Sequence, residues 1–108
     1  MKRKVVITGL GAVTPLGNNV KTFWNNIKNG VCGIDFITAF DTENFKSKLA
    51  AEVKDFDANE ILGRREARRL DRFSQFALVS TEEAIKDSGL DLDAVDKSRL
   101  GVVVGSGI

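Results

Sequence analysis

Five arginines, Arg64, Arg65, Arg68, Arg69 and Arg72, fall within nine residues, the densest set of chemically able side chains in the sequence. Guanidinium groups grouped in this way suit bidentate recognition of phosphate or carboxylate. If a helix begins by Arg65, then Arg65, Arg68, Arg69 and Arg72 project within about a third of its circumference. Glu66 and Asp71 offset part of the charge. The cluster therefore reads either as a solvated face or as a surface for an acidic partner. Nucleic acid would need a wider basic surface with stacking aromatics. Aromatics make up 7% of the chain and the formal net charge is +1, so an acidic protein is the better partner.

Nucleophilic chemistry finds little here. The 108 residues contain no histidine and one cysteine, Cys32. Ser/His/Asp and Cys/His mechanisms both need a base that is missing. A structural zinc site needs four Cys or His ligands, and a lone cysteine forms no internal disulfide. Cys32 lies in a turn, Asn29-Gly30-Val31-Cys32-Gly33, with no histidine and no helix N-terminus evident beside it, and reads as a small apolar residue. Asp41, Glu43, Asp55, Asp57 and Glu60 show no paired spacing of the kind that marks an acid/base or metal site. Catalysis wholly within these residues is not expected.

Two glycine-rich turns could approach a ligand. Thr8-Gly9-Leu10-Gly11 begins like a dinucleotide fingerprint, but Thr14 stands where the third glycine belongs. Pro15 then delays the helix whose N-terminus would meet a pyrophosphate. Close packing after a buried strand explains Gly9 and Gly11 better. Gly105-Ser106-Gly107-Ile108 lacks the lysine and length of a P-loop, and spacing alone favours a tight turn.

The elements that must position these residues follow an α/β order. Val5-Val6-Ile7-Thr8 and Leu100-Gly101-Val102-Val103-Val104 are apolar runs without polar alternation, as in strands buried on both faces of a parallel sheet. Between them, Asn18 or Asn19 caps a helix whose Val20, Phe23, Trp24 and Ile27 form one stripe, closed by Gly30. Residues 48–53 read as an edge strand or hairpin arm. A long helix is expected over 70–88, stopping at Gly89, with Leu70, Phe73, Ala77 and Ala84 on one face. Glu82, Glu83, Lys86 and Asp87 share another, and Phe76 and Val79 lie off the stripe, so its middle is expected to be covered on several sides. Hydrophobic residues at 43% and charged residues at 29% describe a globular chain. No apolar run nears the roughly 20 residues that span a bilayer, and the start lacks a signal-peptide core. Two strong strands make a small parallel sheet, and the chain stops where a crossover helix should begin. Truncation is therefore expected; a naturally short domain is the alternative.

Several segments together resemble one family. Val5-Val6-Ile7-Thr8-Gly9-Leu10-Gly11-Ala12-Val13-Thr14-Pro15-Leu16-Gly17 is similar to the opening of β-ketoacyl-acyl-carrier-protein synthases. The similarity continues through Gly33-Ile34, Phe40-Asp41, Ala51-Glu52-Val53-Lys54-Asp55-Phe56, Arg68-Arg69-Leu70-Asp71-Arg72-Phe73 and Val104-Gly105-Ser106-Gly107-Ile108. The Val-Lys-Asp-Phe and Gly-Ser-Gly-Ile segments resemble the type II enzymes; type I relatives tend to carry glycine where Ile108 stands.

The resemblance implies a thiolase-like α/β fold, layered α-β-α-β-α, with residues 1–108 as the incomplete N-terminal portion of its first half. It implies a homodimer that binds acyl carrier protein, while the short apolar start points to the cytoplasm and the net charge of +1 implies no pull toward nucleic acid or membrane. It also implies an acyltransferase of fatty acid biosynthesis, performing a decarboxylating Claisen condensation without a cofactor of its own. The phosphopantetheine arm arrives on the carrier. The family's nucleophilic cysteine and two histidines would lie beyond Ile108, and Cys32 does not match that cysteine's motif. Arg65, Arg68 and Arg69 match basic positions that face the acidic carrier, and Ile108 matches a residue lining the acyl pocket. Residues 1–108 alone are expected to be inactive. A non-catalytic paralogue of the chain-length-factor kind would look much the same over this stretch.

Overall fold

The computed structural model describes residues 1–107. Its elements run α1 (Val20–Lys28), β1 (Ile34–Phe36), β2 (Leu49–Ala51), α2 (Ala58–Leu62), α3 (Arg64–Ala67) and α4 (Arg72–Ser88), then a single 3-10 turn at Lys97–Arg99. No helix among the described residues is long and apolar enough to cross a membrane.

Local chemistry sets the helix ends. Asn19 is extended at φ −154°, and its side-chain oxygen accepts from the Thr22 N–H at 2.8 Å, which starts α1. Gly89, left-handed at φ 66°, stops α4 after Ser88, as the sequence predicts. Gly63 separates α2 from α3, and Asp57 caps α2 by accepting from the N–H groups of Asn59 and Glu60.

The one sheet among the described residues is an antiparallel pair, with Ile34 opposite Ala51, Asp35 opposite Ala50 and Phe36 opposite Leu49. The expected hairpin arm at residues 48–53 is thus β2. The Glu52 carboxylate beside it accepts from the Thr38 hydroxyl at 2.8 Å and from the N–H groups of Thr38 and Ala39 at 3.1 Å. These bonds, the hydroxyl's first, hold its pKa below the ordinary carboxylate value.

The two apolar runs correct the expectation of paired, buried strands. Residues 5–8 and 100–104 carry no ladder hydrogen bonds, and Val5 is 94% and Val103 97% exposed. A strand needs a neighbour for its N–H and C=O groups, and none runs beside either segment among the described residues. Ala67 is the single buried apolar residue there. The radius of gyration is 17.2 Å, against about 13 Å for a compact chain of 100 residues. α1's stripe is likewise only partly covered, with Trp24 and Ile27 exposed.

Helix α4 is the spine. The N-terminal loop lies so close to it that a Cβ on Gly9 would overlap the Ala84 carbonyl, and one on Gly11 the Ser80 carbonyl. That is the close packing expected of these glycines. Three hydrogen bonds to acidic side chains add to it. Asp87 accepts from the Leu10 N–H at 3.0 Å, and Glu83 accepts from Ala12 at 2.9 Å and from Val20 at 2.8 Å. Val20 opens α1, so one carboxylate satisfies both the loop and an orphan donor of the helix. The polar face expected for Glu82, Glu83, Lys86 and Asp87 is therefore split. Glu82 and Lys86 stay exposed, while Glu83 and Asp87 bind the loop.

The middle of α4 is covered on several sides, as expected: residues 74–80 are all half-buried. Phe76 meets Phe56 edge-on at 4.9 Å between ring centroids. Phe73, assigned from spacing to the apolar face, is instead exposed.

Candidate functional site

The arginine cluster does not lie on one helix, and this corrects the spacing argument. Arg64 and Arg65 open the four-residue α3, Arg68 is its C-cap at φ −71°, and Arg69 closes a tighter turn by donating its N–H to the Glu66 carbonyl at 3.0 Å. Helix α4 then starts afresh at Arg72. Arg65 and Arg68 are three residues apart in helical geometry and share a face. All four side chains from Arg64 to Arg69 belong to exposed residues. Among the described residues none of them forms an ion pair, the one observed pair being Lys54 with Asp35 at 4.0 Å.

Arg72 leaves the cluster. Its guanidinium donates to the Val53 carbonyl at 3.2 Å and lies 4.9 Å from the Phe76 ring centroid and 5.6 Å from that of Phe56. Cation–π contact of this kind stabilises by roughly 0.5–1 kcal/mol where water still reaches the charge. Arg72 therefore ties β2's following segment to α4. What remains is a compact exposed turn of four positive charges, offset in part by Glu66 within it and Asp71 beside it, with no histidine or cysteine. Such a surface can attract and orient an anionic partner.

The other candidates fall elsewhere. Cys32 is exposed, with its sulfur 4.0 Å from the Ile34 carbonyl, rather than packed as a small apolar residue. It borders a cavity of about 460 Å³ whose lining includes Thr14, Asn18, Asn26, Lys54 and Asp55. Asn18 is a residue that sequence reasoning undervalued. Its amide donates to the Lys54 and Asp55 carbonyls at 2.8 and 3.2 Å, and it braces Asp55 at a left-handed φ of 55°. Pro15 sits in a turn closed by the Thr14 N–H to the Gly17 carbonyl at 2.9 Å, and α1 begins only at Val20, so no helix starts directly after Gly9 and Gly11. No group of three or more potential metal ligands occurs among the described residues. Ile108, the residue matched to the acyl pocket, lies outside the described residues.

Comparison with known proteins gives this arrangement its setting. Over 106 residues the chain is 50% identical to 3-oxoacyl-[acyl-carrier-protein] synthase 2 of Staphylococcus aureus strain COL, covering 98% of this chain and 26% of that protein. Identity to the synthase of the same name from a Synechocystis species is 43%, covering 99% of this chain and 26% of the relative. The chain thus spans about a quarter of the length of these curated relatives. Among solved structures, the ishigamide ketosynthase/chain length factor superposes with a TM-score of 0.69 at 30% identity, over 82% of this chain and 22% of that one. A type II polyketide ketosynthase, AntDE, solved with its acyl-carrier protein AntF, superposes with a TM-score of 0.64 at 29% identity, over 87% and 23%. These neighbours place the arrangement in the thiolase-like ketosynthase fold, whose N-terminal portion it matches. The match to the family described as "Beta-ketoacyl synthase, N-terminal domain" runs over residues 2–108, and to that family the chain belongs.

Proposed function

We propose that this chain is the N-terminal part of a 3-oxoacyl-[acyl-carrier-protein] synthase of the second type, acting in fatty acid elongation. The observation that carries the reading is the exposed turn bearing Arg65, Arg68 and Arg69, unpaired among the described residues, in a chain 50% identical to a synthase of that name. In this reading the turn receives the acidic surface of acyl carrier protein, steering encounter and setting orientation more than supplying raw affinity.

The chemistry is a decarboxylative condensation. An acyl group passes from the carrier's pantetheine sulfur to a cysteine thiolate outside these 108 residues. Malonyl-carrier protein then loses carbon dioxide, and the electron pair left on its α-carbon attacks the enzyme-bound thioester. The cysteine leaves as thiolate, and the product is a 3-oxoacyl thioester on the carrier. The protein brings no cofactor of its own, works as a homodimer in the cytoplasm, and uses Ile108, on sequence grounds alone, to limit the depth of the acyl pocket. Residues 1–108 form an incomplete portion of one ketosynthase domain.

A second reading, a non-catalytic chain-length-factor-like paralogue, draws support from the similarity to the ishigamide ketosynthase/chain length factor. The two separate on one assay. Given acyl- and malonyl-carrier protein, the complete protein is expected to release carbon dioxide and form 3-oxoacyl-carrier protein in equal amounts. Carrier binding with neither product would select the paralogue instead.

A further inference from the structure

The turn that carries Arg68 and Arg69 is not self-supporting. Helix α3 has four residues, far short of the ~12 at which an isolated helix becomes even marginal in water. Its backbone bonding continues past Ala67 only through the Arg68 N–H to the Arg64 carbonyl at 3.3 Å and the Arg69 N–H to the Glu66 carbonyl at 3.0 Å, which leaves the Ala67 carbonyl without a backbone partner. The neighbouring like charges also repel one another, which favours a splayed turn.

One side chain opposes this. The Gln75 amide nitrogen donates to the Ala67 carbonyl at 3.0 Å and to the Leu70 carbonyl at 3.2 Å, both bonds part-buried. Arg68 and Arg69 are the two residues between those carbonyls. A single amide therefore closes a bracket around both arginine positions. Gln75 is itself well placed to do so, because its backbone N–H donates to the Asp71 carbonyl at 3.0 Å in the first turn of α4. That turn is anchored in its own right by Arg72 on Val53, Phe56 and Phe76. Being neutral, the amide supplies two donors without diluting the positive field of the arginines it holds.

We infer that Gln75 is a positioning residue of the carrier-docking turn, holding Arg68 and Arg69 in a preset orientation so that little ordering remains to be done on encounter. The inference rests on the docking reading above. It adds a residue that touches neither carrier nor substrate and acts only through the two arginines.

The test uses the complete synthase with acyl-carrier protein and, as a carrier-free control, the same acyl group on pantetheine. Gln75→Met keeps the side-chain length and removes both donors. It is expected to raise the KM for acyl-carrier protein roughly fivefold, with kcat and the KM for acyl-pantetheine unchanged within about twofold. In an Arg68→Ala/Arg69→Ala background the same substitution is expected to add less than about twofold, because the residues it positions are gone. Gln75→Asn, whose amide is one methylene too short to reach both carbonyls, is read in the same way if Gln75→Met does not fold. If Arg68→Ala/Arg69→Ala leaves the KM for acyl-carrier protein unchanged, the docking reading itself falls. If that pair raises KM but Gln75→Met does not, or adds its full effect in their absence, the positioning role falls alone. Equal loss on both substrates, or failure of both Gln75 variants to fold, also overturns it, since Gln75 would then serve the fold and not the docking turn.

Discussion

Charge reversal of Arg65 and Arg69 together, Arg65→Glu with Arg69→Glu, is expected to raise the KM for acyl-carrier protein on the order of 30-fold at low ionic strength, about 1 kcal/mol for each reversed charge. Both residues are exposed, and neither has a carboxylate partner among the described residues to be stranded by the change. The effect is therefore one of attraction across solvent turned into repulsion. It should shrink as salt is added, because the Debye length falls from about 10 Å at 0.1 M to about 3 Å at 1 M. Turnover at saturating carrier should hold, since the two arginines are assigned to docking and not to bond making. An unchanged KM at low salt would leave Arg65 and Arg69 as a solvated face and nothing more.

The largest expected loss of stability comes from a single methyl group. Gly11→Ala is expected to destabilise the protein by about 3 kcal/mol, read as a lower urea midpoint with an unchanged slope. The added Cβ would overlap the Ser80 carbonyl oxygen and come within 2.7 Å of its carbon and 3.0 Å of the Ala84 nitrogen. These are backbone atoms of α4, so no side-chain rotation relieves the contact. Moving the loop away would also lengthen the bonds that Glu83 makes to Ala12 and Val20 and that Asp87 makes to Leu10. An unaltered midpoint would mean that the loop does not lie against α4.

What the sequence disclosed and what it withheld follow from how local each signal is. Asn19 before α1 and Gly89 after α4 act on backbone within a few residues, so both ends were legible. Strand β1 was not. Ile34-Asp35-Phe36 is too short to show a period, and its partner Leu49–Ala51 follows at a distance. Glu83 looked like part of a solvated stripe because its partners, Ala12 and Val20, lie 71 and 63 residues away. Arg72 counted with the other arginines for the same reason, its aromatic partner Phe56 being invisible to helical spacing. The runs at residues 5–8 and 100–104 had the composition of buried strands, but composition cannot supply the neighbouring strand that burial requires. For the site, the family resemblance picked out Arg65, Arg68 and Arg69, and the structure leaves all three exposed on one short turn. Gln75 gave no sign of itself, since an amide facing two carbonyls has no sequence pattern.

The central claim is that the turn from Arg64 to Leu70 is where an acidic carrier protein sits. Hydrogen exchange of the complete protein, with and without acyl-carrier protein at low ionic strength, tests it directly. The account predicts slowed exchange at the amides of residues 64–70 on carrier binding, lost again in Arg65→Glu/Arg69→Glu, with the loop around Cys32 unchanged. Saturating carrier that protects other surfaces and leaves residues 64–70 exchanging as before would contradict it.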